Sequence, residues 1–331
     1  VLVTHSGEAC FYRKPAVPHP LPEAALSLLE EKGVEAFPAI ARNPRLTSWL
    51  AAAARDQTTT HRLFLGDSRK KLAELSENTI HLAITSPPYW TLKTYEHAPG
   101  QLGAIQDYEA FLEALDDVWR AVFRLLVPGG RLIVIVGDVT VPRRDPAFKR
   151  HLVLPLHAAI QEHGRKIGFD NLTPIIWHKI TNARFEAKGG RFLGKPYEPG
   201  AIIKNDIEYI LFLRKPGGYR NPTRKQRLLS IIPESEHREW FQPIWQLAGT
   251  PARDHPAPFP LALAERLVRM FSFVGDTVLD PFMGSGTTNL AALRWGRNSV
   301  GVELVERYWR RAAERLQAAG AEQCDANEQS H

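Results

Sequence analysis

An open α/β fold with a mostly parallel sheet is predicted for this 331-residue chain, on three observations. Strand-like apolar runs alternate with helix-like segments from about residue 61 to 317. The run Leu132-Ile133-Val134-Ile135-Val136 is apolar and β-branched without alternation, the pattern of a parallel strand buried on both faces. Two unusual loops, Thr85-Ser86-Pro87-Pro88-Tyr89-Trp90 and Asp280-Pro281-Phe282-Met283-Gly284-Ser285-Gly286-Thr287-Thr288, each directly follow such a run. Both therefore stand at carboxyl ends of strands, where open α/β sheets bind ligands.

The elements follow in order. Residues 1 to about 20 are Pro-rich and aperiodic, and Pro22 to Glu31 and Leu46 to Arg55 read as short helices. Together they form an N-terminal helical appendage over 1–60 whose role stays open between covering the site, binding DNA and dimerisation. Arg62 to Leu65 is a strand ending in Gly66-Asp67-Ser68, a helix runs through Leu75, and Ile80 to Ile84 is the strand into the first loop. Between Asp107 and Leu126, apolar residues recur every three or four positions (Phe111, Leu115, Val118, Trp119, Val122), as in a helix packed on a sheet. Pro128-Gly129-Gly130 is expected to end it, and Arg131 to Val136 is the buried strand. A helix from Pro155 to Gly164 precedes a strand from Leu172 to Lys179. Asp206 to Leu213 returns to strand character, suggesting a hairpin edge that closes the sheet. Trp240 to Ala248 is aromatic but aperiodic, and His255-Pro256-Ala257-Pro258-Phe259-Pro260 opens a helix to about Ser272. Strands at Asp276 to Asp280 and Ser299 to Glu303 alternate with helices at Thr287 to Trp295 and Val305 to Ala318. The tail from Ala319 is polar and expected to be disordered.

Composition is that of an ordinary globular protein. No apolar run is long enough to span a bilayer and the N-terminus lacks a signal-peptide pattern, so a cytoplasmic protein without a membrane partner is expected. Cys10 and Cys324 have no metal-ligand spacing. Free thiols and no metal site are expected. The net charge of +6 is modest. From Lys179 to Arg227, however, 12 basic residues face 4 acidic ones, a local excess larger than that of the whole chain. Arg184, Lys188, Arg191, Lys195, Arg220, Arg224, Lys225 and Arg227 are interleaved with Phe185, Phe192, Tyr197 and Tyr219, which suits phosphate neutralisation and base stacking.

In the second loop, Gly284-Ser285-Gly286 lies between a strand and a helix and lets backbone approach a ligand closely. No Lys-Ser/Thr follows and Asp280 would repel phosphate, so this is not a phosphate loop. Asp280 suits a cation and the helix N-terminus suits a carboxylate, a pair that a zwitterionic amino acid satisfies. The next strand ends at Glu303, 19 residues beyond Gly284, where α/β nucleoside sites carry the acid that accepts ribose hydroxyls. An amino-acid end plus a ribose end describes S-adenosylmethionine.

Asp280 to Thr288 is similar to the cofactor motif of the amino-group (N4-cytosine/N6-adenine) DNA methyltransferases, and Ser86-Pro87-Pro88-Tyr89 to their catalytic motif. The order, catalytic loop first, resembles the β-ordered group, over roughly residues 61 to 317. The resemblance implies a Rossmann-like methyltransferase sheet, mostly parallel with an antiparallel strand and circularly permuted. It implies a catalytic half over 61–180, a target-recognition region over 181–249 that includes the strand near 206–213, a cofactor half over 250–317 and a tail over 318–331. It assigns cofactor binding to Asp280, Pro281, Phe282, Gly284, Ser285, Gly286, Thr287, Thr288, Glu303 and His255. Asp67 joins them near the cofactor or base pocket, its alternative being a helix cap, and Asp138 is a pocket-rim candidate.

An exocyclic amine is a poor nucleophile because its lone pair is delocalised into the ring. Acceptors at both amino hydrogens favour a pyramidal nitrogen. The resemblance gives those positions to the Ser86 side chain and the Pro87 carbonyl, lets Pro87-Pro88 stiffen the turn, and makes Tyr89 a stacking platform for a base extruded from duplex DNA. Trp90 either supports that stack or packs in the core. Methylation at carbon 5 would need a thiolate in a Pro-Cys loop, which is absent. Within the family, Ser before Pro-Pro-Tyr accompanies cytosine N4 more often than adenine N6, so Ser86 favours cytosine. An RNA or protein-glutamine methyltransferase and a DNA-binding protein with a degenerate cofactor site are the alternatives. A cognate restriction endonuclease and a homodimer are possible partners.

Overall fold

The computed structural model describes residues 7–15, 19–90, 98–141, 148–179, 206–250 and 258–324. In chain order the strands are β1 (Glu8–Arg13), β2 (Thr59–Leu65), β3 (Ile80–Thr85), β4 (Leu126–Val136), β5 (Val139–Val141), β6 (Leu152–Leu154), β7 (Asp170–His178), β8 (Ile207–Arg214), β9 (Ile244–Gln246), β10 (Thr277–Asp280), β11 (Asn298–Glu303) and β12 (Glu322–Gln323). The helices are α1 (Glu23–Lys32), α2 (Phe37–Ala41), α3 (Pro44–Arg55), α4 (Ser68–Lys71), α5 (Tyr108–Leu125), α6 (Leu156–Ile167), α7 (Arg224–Leu229), α8 (Glu234–Trp240), α9 (Leu261–Phe271), α10 (Thr287–Arg294) and α11 (Glu306–Ala318). Ten strands form one sheet in the order β12-β1-β2-β11-β10-β3-β4-β8-β7-β9.

Five neighbours, β2, β11, β10, β3 and β4, are parallel. Their residues alternate between two apolar layers. Ala83, Leu132, Val134 and Leu279 face a layer built on Phe111, Leu115, Val118 and Trp119 of α5 and on Ile160 of α6. Leu82, Ile84, Ile133, Ile135 and Val278 face Leu263, Leu267 and Val268 of α9 and Ala291 of α10. The helical period of α5 buries one stripe against the sheet, as its spacing requires. The chain leaves β3 over one face through α5 and leaves β10 over the other through α10. The gap between these two adjacent strands is therefore a topological switch point.

Several elements differ from the sequence reading. Glu8–Arg13, inside the stretch read as aperiodic, is a strand antiparallel to β2, and β12, inside the tail expected to be disordered, pairs with it. Six and two residues are too short to show a period against their Pro-rich and polar flanks. This pairing places Cys10 and Cys324 side by side, 5.4 Å apart at Cα, as a disulfide, which replaces the expected free thiols. Spacing along the chain could not reveal a contact across 314 residues. β8 does not close the sheet: it lies between β4 and β7, antiparallel to both, and β9 forms the edge beyond them. Helix α5 stops at Leu125, before Pro128-Gly129-Gly130, which belong to β4. The helices of the N-terminal appendage pack on Leu228 and Leu229 of α7 and on Val274 just before β10. That is the amino-terminal edge of the sheet, so these helices do not cover the carboxyl ends.

Tying residues 10 and 324 together removes much freedom from the unfolded chain, an effect worth about 2–4 kcal/mol. Reductant, or the pair Cys10→Ala with Cys324→Ala, is expected to lower the melting temperature by several degrees; an unchanged melt would mean that the thiols do not pair in solution.

Candidate active site

The carboxyl ends of β3 and β10 meet at one group, the carboxylate of Asp280. It is 1% exposed, and its Oδ1 accepts from Thr85 Oγ1 at 2.7 Å and from the amide of Phe282 at 3.1 Å. Its Oδ2 accepts from Thr288 Oγ1 at 2.7 Å. Burial pushes its pKa up to about 6, with the hydrogen bonds from Thr288, Thr85 and Phe282 opposing the rise. Asp280 thus joins β3, β10 and α10 through three hydrogen bonds.

The loop after it is held from several sides. Ser68 Oγ donates to the Pro281 carbonyl. Gly286 has φ +76°, and a Cβ there would meet Ala312 Cβ of α11 at 2.7 Å, so the turn and the helix contact both demand glycine. Arg315 Nη1 donates to Ser285 O at 2.6 Å, to Ser285 Oγ at 3.0 Å and to Thr287 Oγ1 at 3.2 Å. Glu303, at the end of β11, accepts from the amide of Gly284 at 2.8 Å through Oε2 and from that of Val305 at 2.8 Å through Oε1. Burial pushes its pKa up to about 7 against those backbone hydrogen bonds, and nearby Asp280 adds to the rise.

The first loop leaves β3 at Thr85. Ser86 is half-buried, and its Oγ lies 3.1 Å from the hydroxyl of Tyr89. Pro87 and Pro88 are buried. Tyr89 is 5% exposed and packs in the apolar layer of α5, so its ring is less available for stacking than its sequence context suggested. Trp90 takes the packing role: it is buried edge-on against Tyr108, centroids 5.4 Å apart. Asp67 is the N-cap of α4, accepting from the Arg69 amide at 2.9 Å and pairing with its guanidinium at 2.6 Å.

One cleft collects these pieces. Asp67, Ser68, Ser86, Pro88, Gln101, Leu102, Pro281, Phe282, Glu303, Val305 and Tyr308 line it. Phe282 enters it braced edge-on by Trp119, centroids 6.2 Å apart. Asp280, Gly284, Ser285, Gly286, Thr287 and Thr288 are not among the cleft's lining residues but belong to the loop and helix that carry Pro281 and Phe282. The carboxylate of Glu303, the apolar face of Phe282 and the small-residue turn fit a nucleoside joined to an amino acid.

The N6/N4 DNA methylase family matches residues 80–314. The chain is 35% identical to the Type II methyltransferase M.MjaI of Methanocaldococcus jannaschii over 280 residues, 75% of this chain and 88% of that protein. It is 33% identical to the Type II methyltransferase M.MthZI of Methanothermobacter thermautotrophicus, covering 74% and 73% of the two. Among solved structures it resembles TTHA0409 of Thermus thermophilus, a putative DNA modification methylase complexed with S-adenosyl-L-methionine. That match has 57% identity, a TM-score of 0.65, and covers 78% of this chain and 93% of the other. The chain belongs to the N6/N4 DNA methylase family. It is an amino-group DNA methyltransferase with the Rossmann-like fold of S-adenosylmethionine-dependent enzymes, and S-adenosylmethionine is its cofactor.

Within this methylase the predicted site residues divide. Asp67, Ser86, Pro88, Pro281, Phe282 and Glu303 share the cleft. His255, Arg184, Lys188, Arg191 and Lys195 lie outside the described residues. Arg220 and Arg227 line a different cleft, and Arg224 and Lys225 lie on the same helix as Arg227. Because β8 runs antiparallel to β4, the chain after Arg214 emerges at the amino-terminal edge. These four residues therefore sit opposite the catalytic loop, a strand direction that composition does not carry. Asp138 is engaged elsewhere, 2.6 Å from Nδ1 of His157, whose ring stacks on Tyr209 at 3.8 Å. Sequence reasoning missed Thr85, Ser68 and Arg315. A hydroxyl ending the strand beside Asp280 was a usable signal for Thr85, whereas Arg315 looks like an ordinary residue in the last turn of a helix. Among the described residues no helix is long and apolar enough to cross a membrane, and no group of three or more His, Cys, Asp or Glu could hold a metal ion.

Both raised carboxyls hold their protons longer in the folded chain than in the unfolded one. From about pH 4.5, the ordinary value for Glu, to about 7 the folded state binds more protons, so the cofactor-free protein is expected to lose stability as pH rises through that window. Glu303→Gln should flatten the upper part of this fall in melting curves. The resemblance assigns the ribose hydroxyls to Glu303, and an ionised carboxylate is the better acceptor for them, so on that assignment the dissociation constant measured by calorimetry is expected to drop between pH 6 and 8, and to be flat in Glu303→Gln. An equally steep dependence in that variant would remove Glu303 from the role.

Proposed function

We propose that this methyltransferase acts on the exocyclic N4 of cytosine in duplex DNA, by direct transfer to a base extruded from the helix. The observation that carries the reading is that Ser86, standing where adenine enzymes of the family usually have Asp, shares a cleft with Phe282 and Glu303. When bound, S-adenosylmethionine supplies a methyl group already activated on a sulfonium, so no protein nucleophile is required. Ser86 Oγ accepts one amino hydrogen and the Pro87 carbonyl the other, turning the nitrogen lone pair out of the ring plane. Two consecutive prolines fix φ and keep these acceptors in line. The Ser86–Tyr89 contact sets the hydroxyl's rotamer. Thr85, bonded to Asp280, fixes the distance between this loop and the cofactor loop.

DNA contact is assigned to Arg184, Lys188, Arg191 and Lys195. Their segment is anchored at both ends on the catalytic side of the sheet, where His178 pairs with Ile207. Arg220, Arg224, Lys225 and Arg227 do not belong to this surface. Because the relatives are named Type II methyltransferases, the chain is read as the modification partner of a restriction endonuclease.

Incubation with labelled S-adenosylmethionine and unmethylated DNA, followed by digestion to nucleosides and mass spectrometry, is expected to yield N4-methylcytosine; N6-methyladenine would overturn the base assignment while leaving the enzyme class. Ser86→Ala is expected to lower kcat by about a hundredfold with cofactor affinity unchanged, and a loss of cofactor binding instead would contradict the role. Lys188→Gln with Arg191→Gln should weaken DNA binding and reduce the slope of its salt dependence, while Arg224→Gln with Lys225→Gln should leave that slope as it was.

A further inference from the structure

At the amino-terminal edge of the sheet, a second cleft opens between the starts of β3, β4 and β10. We propose that it binds a phosphate ester, its phosphate held by Arg131 and Arg227 and its organic group lying against Tyr219, Phe271 and Phe273.

The charges are unbalanced. Four arginines, Arg131, Arg220, Arg227 and Arg269, line the cleft with one carboxylate, Asp276. Arg269 is neutralised by Glu236 at 2.5 Å and Arg220 by Asp276. Arg227 donates to Asn221 Oδ1 at 3.1 Å, and Arg131 lies 5.6 Å from the centre of the Phe271 ring. Neither of these two has a carboxylate partner among the described residues. Burial, with Arg214 nearby, lowers the pKa of Arg131, a cost that an anion beside it would relieve.

Neutral donors point to the same ligand. His81 Nδ1 accepts from the Thr277 amide at 3.1 Å, which leaves Nε2–H to donate. Ser230 Oγ accepts from the Val274 amide at 2.8 Å, and its proton is likewise available. Asp276 Oδ1 is buried with no hydrogen-bond partner among the described residues, so the lone carboxylate of the cleft is turned into the protein and not toward an incoming phosphate on that side. One wall is rigid: Gly129, at φ +76°, lies so close to Gly218 that a Cβ would stand 2.8 Å from its carbonyl oxygen, and Gly129 N donates to Lys215 O at 3.0 Å. A mononucleotide and the backbone of a nucleic-acid strand share this chemistry. The target cytosine is not the occupant, because it must reach Ser86 at the opposite ends of the strands.

The test is calorimetry on the full chain saturated with S-adenosylmethionine, with AMP, inorganic phosphate and an oligothymidylate of about eight nucleotides as probes. AMP or the oligonucleotide is expected to bind without displacing the cofactor, and more tightly than inorganic phosphate. Arg131→Gln and Arg227→Gln are each expected to weaken it about tenfold, with cofactor affinity unchanged. Preference for the oligonucleotide identifies a strand as the source, and preference for AMP a free nucleotide. The proposal is overturned if no probe binds, if inorganic phosphate binds as tightly as either ester, if excess cofactor displaces the probe, or if both variants bind like the parent. Should Arg131→Gln fail to fold, Arg227→Gln on the surface of α7 decides alone.

Discussion

Asp280 accepts three hydrogen bonds in a space that water barely reaches, and most of the active site is positioned through them. A carboxylate with so little solvent is tolerable only while its donors stay in place. One donor ends β3 and begins the catalytic loop, one belongs to the cofactor loop, and one begins α10. Both loops are therefore registered against a single rigid group. Methyl transfer needs its reacting atoms aligned within a fraction of an ångström, and a buried hub between adjacent strands provides that alignment with less conformational freedom than loop contacts alone.

The same constraint shows why the chain order of the two motifs can be exchanged without harm. Catalytic and cofactor loops meet because β3 and β10 are neighbours, not because they are close in sequence. The two crossovers, through α5 and α10, leave opposite faces and keep the space above the switch point open. Arg315 and Glu303 then fix the cofactor turn from the side of β11 and α11.

The two edges of the sheet have different chemistry. The carboxyl-terminal edge carries buried acids that hold their protons unusually tightly, Asp280 and Glu303, beside an apolar ring, Phe282. The amino-terminal edge carries arginines in excess of carboxylates. The antiparallel course of β8 carries the later part of the basic segment, Arg220 and Arg227, to that amino-terminal edge.

The sequence by itself determined the α/β class, the helices longer than ten residues, such as α5, and the two ligand loops. These are local properties, set by side-chain spacing and turn chemistry within a few residues. It also singled out Ser86 and Phe282, through the resemblance of their loops to the family's motifs, and Glu303, through its place at the end of the strand after the glycine turn. Only the tertiary structure decided that β1 and β12 extend the sheet and bring Cys10 to Cys324, since pairing of short strands depends on residues 314 positions apart. Only it showed that the Asp280 carboxylate is spent on Thr85, Phe282 and Thr288, and that Tyr89 is packed in the core. The direction of β8, and with it the side on which Arg220 and Arg227 emerge, is likewise a property of strand pairing, which no pattern within the strand itself encodes.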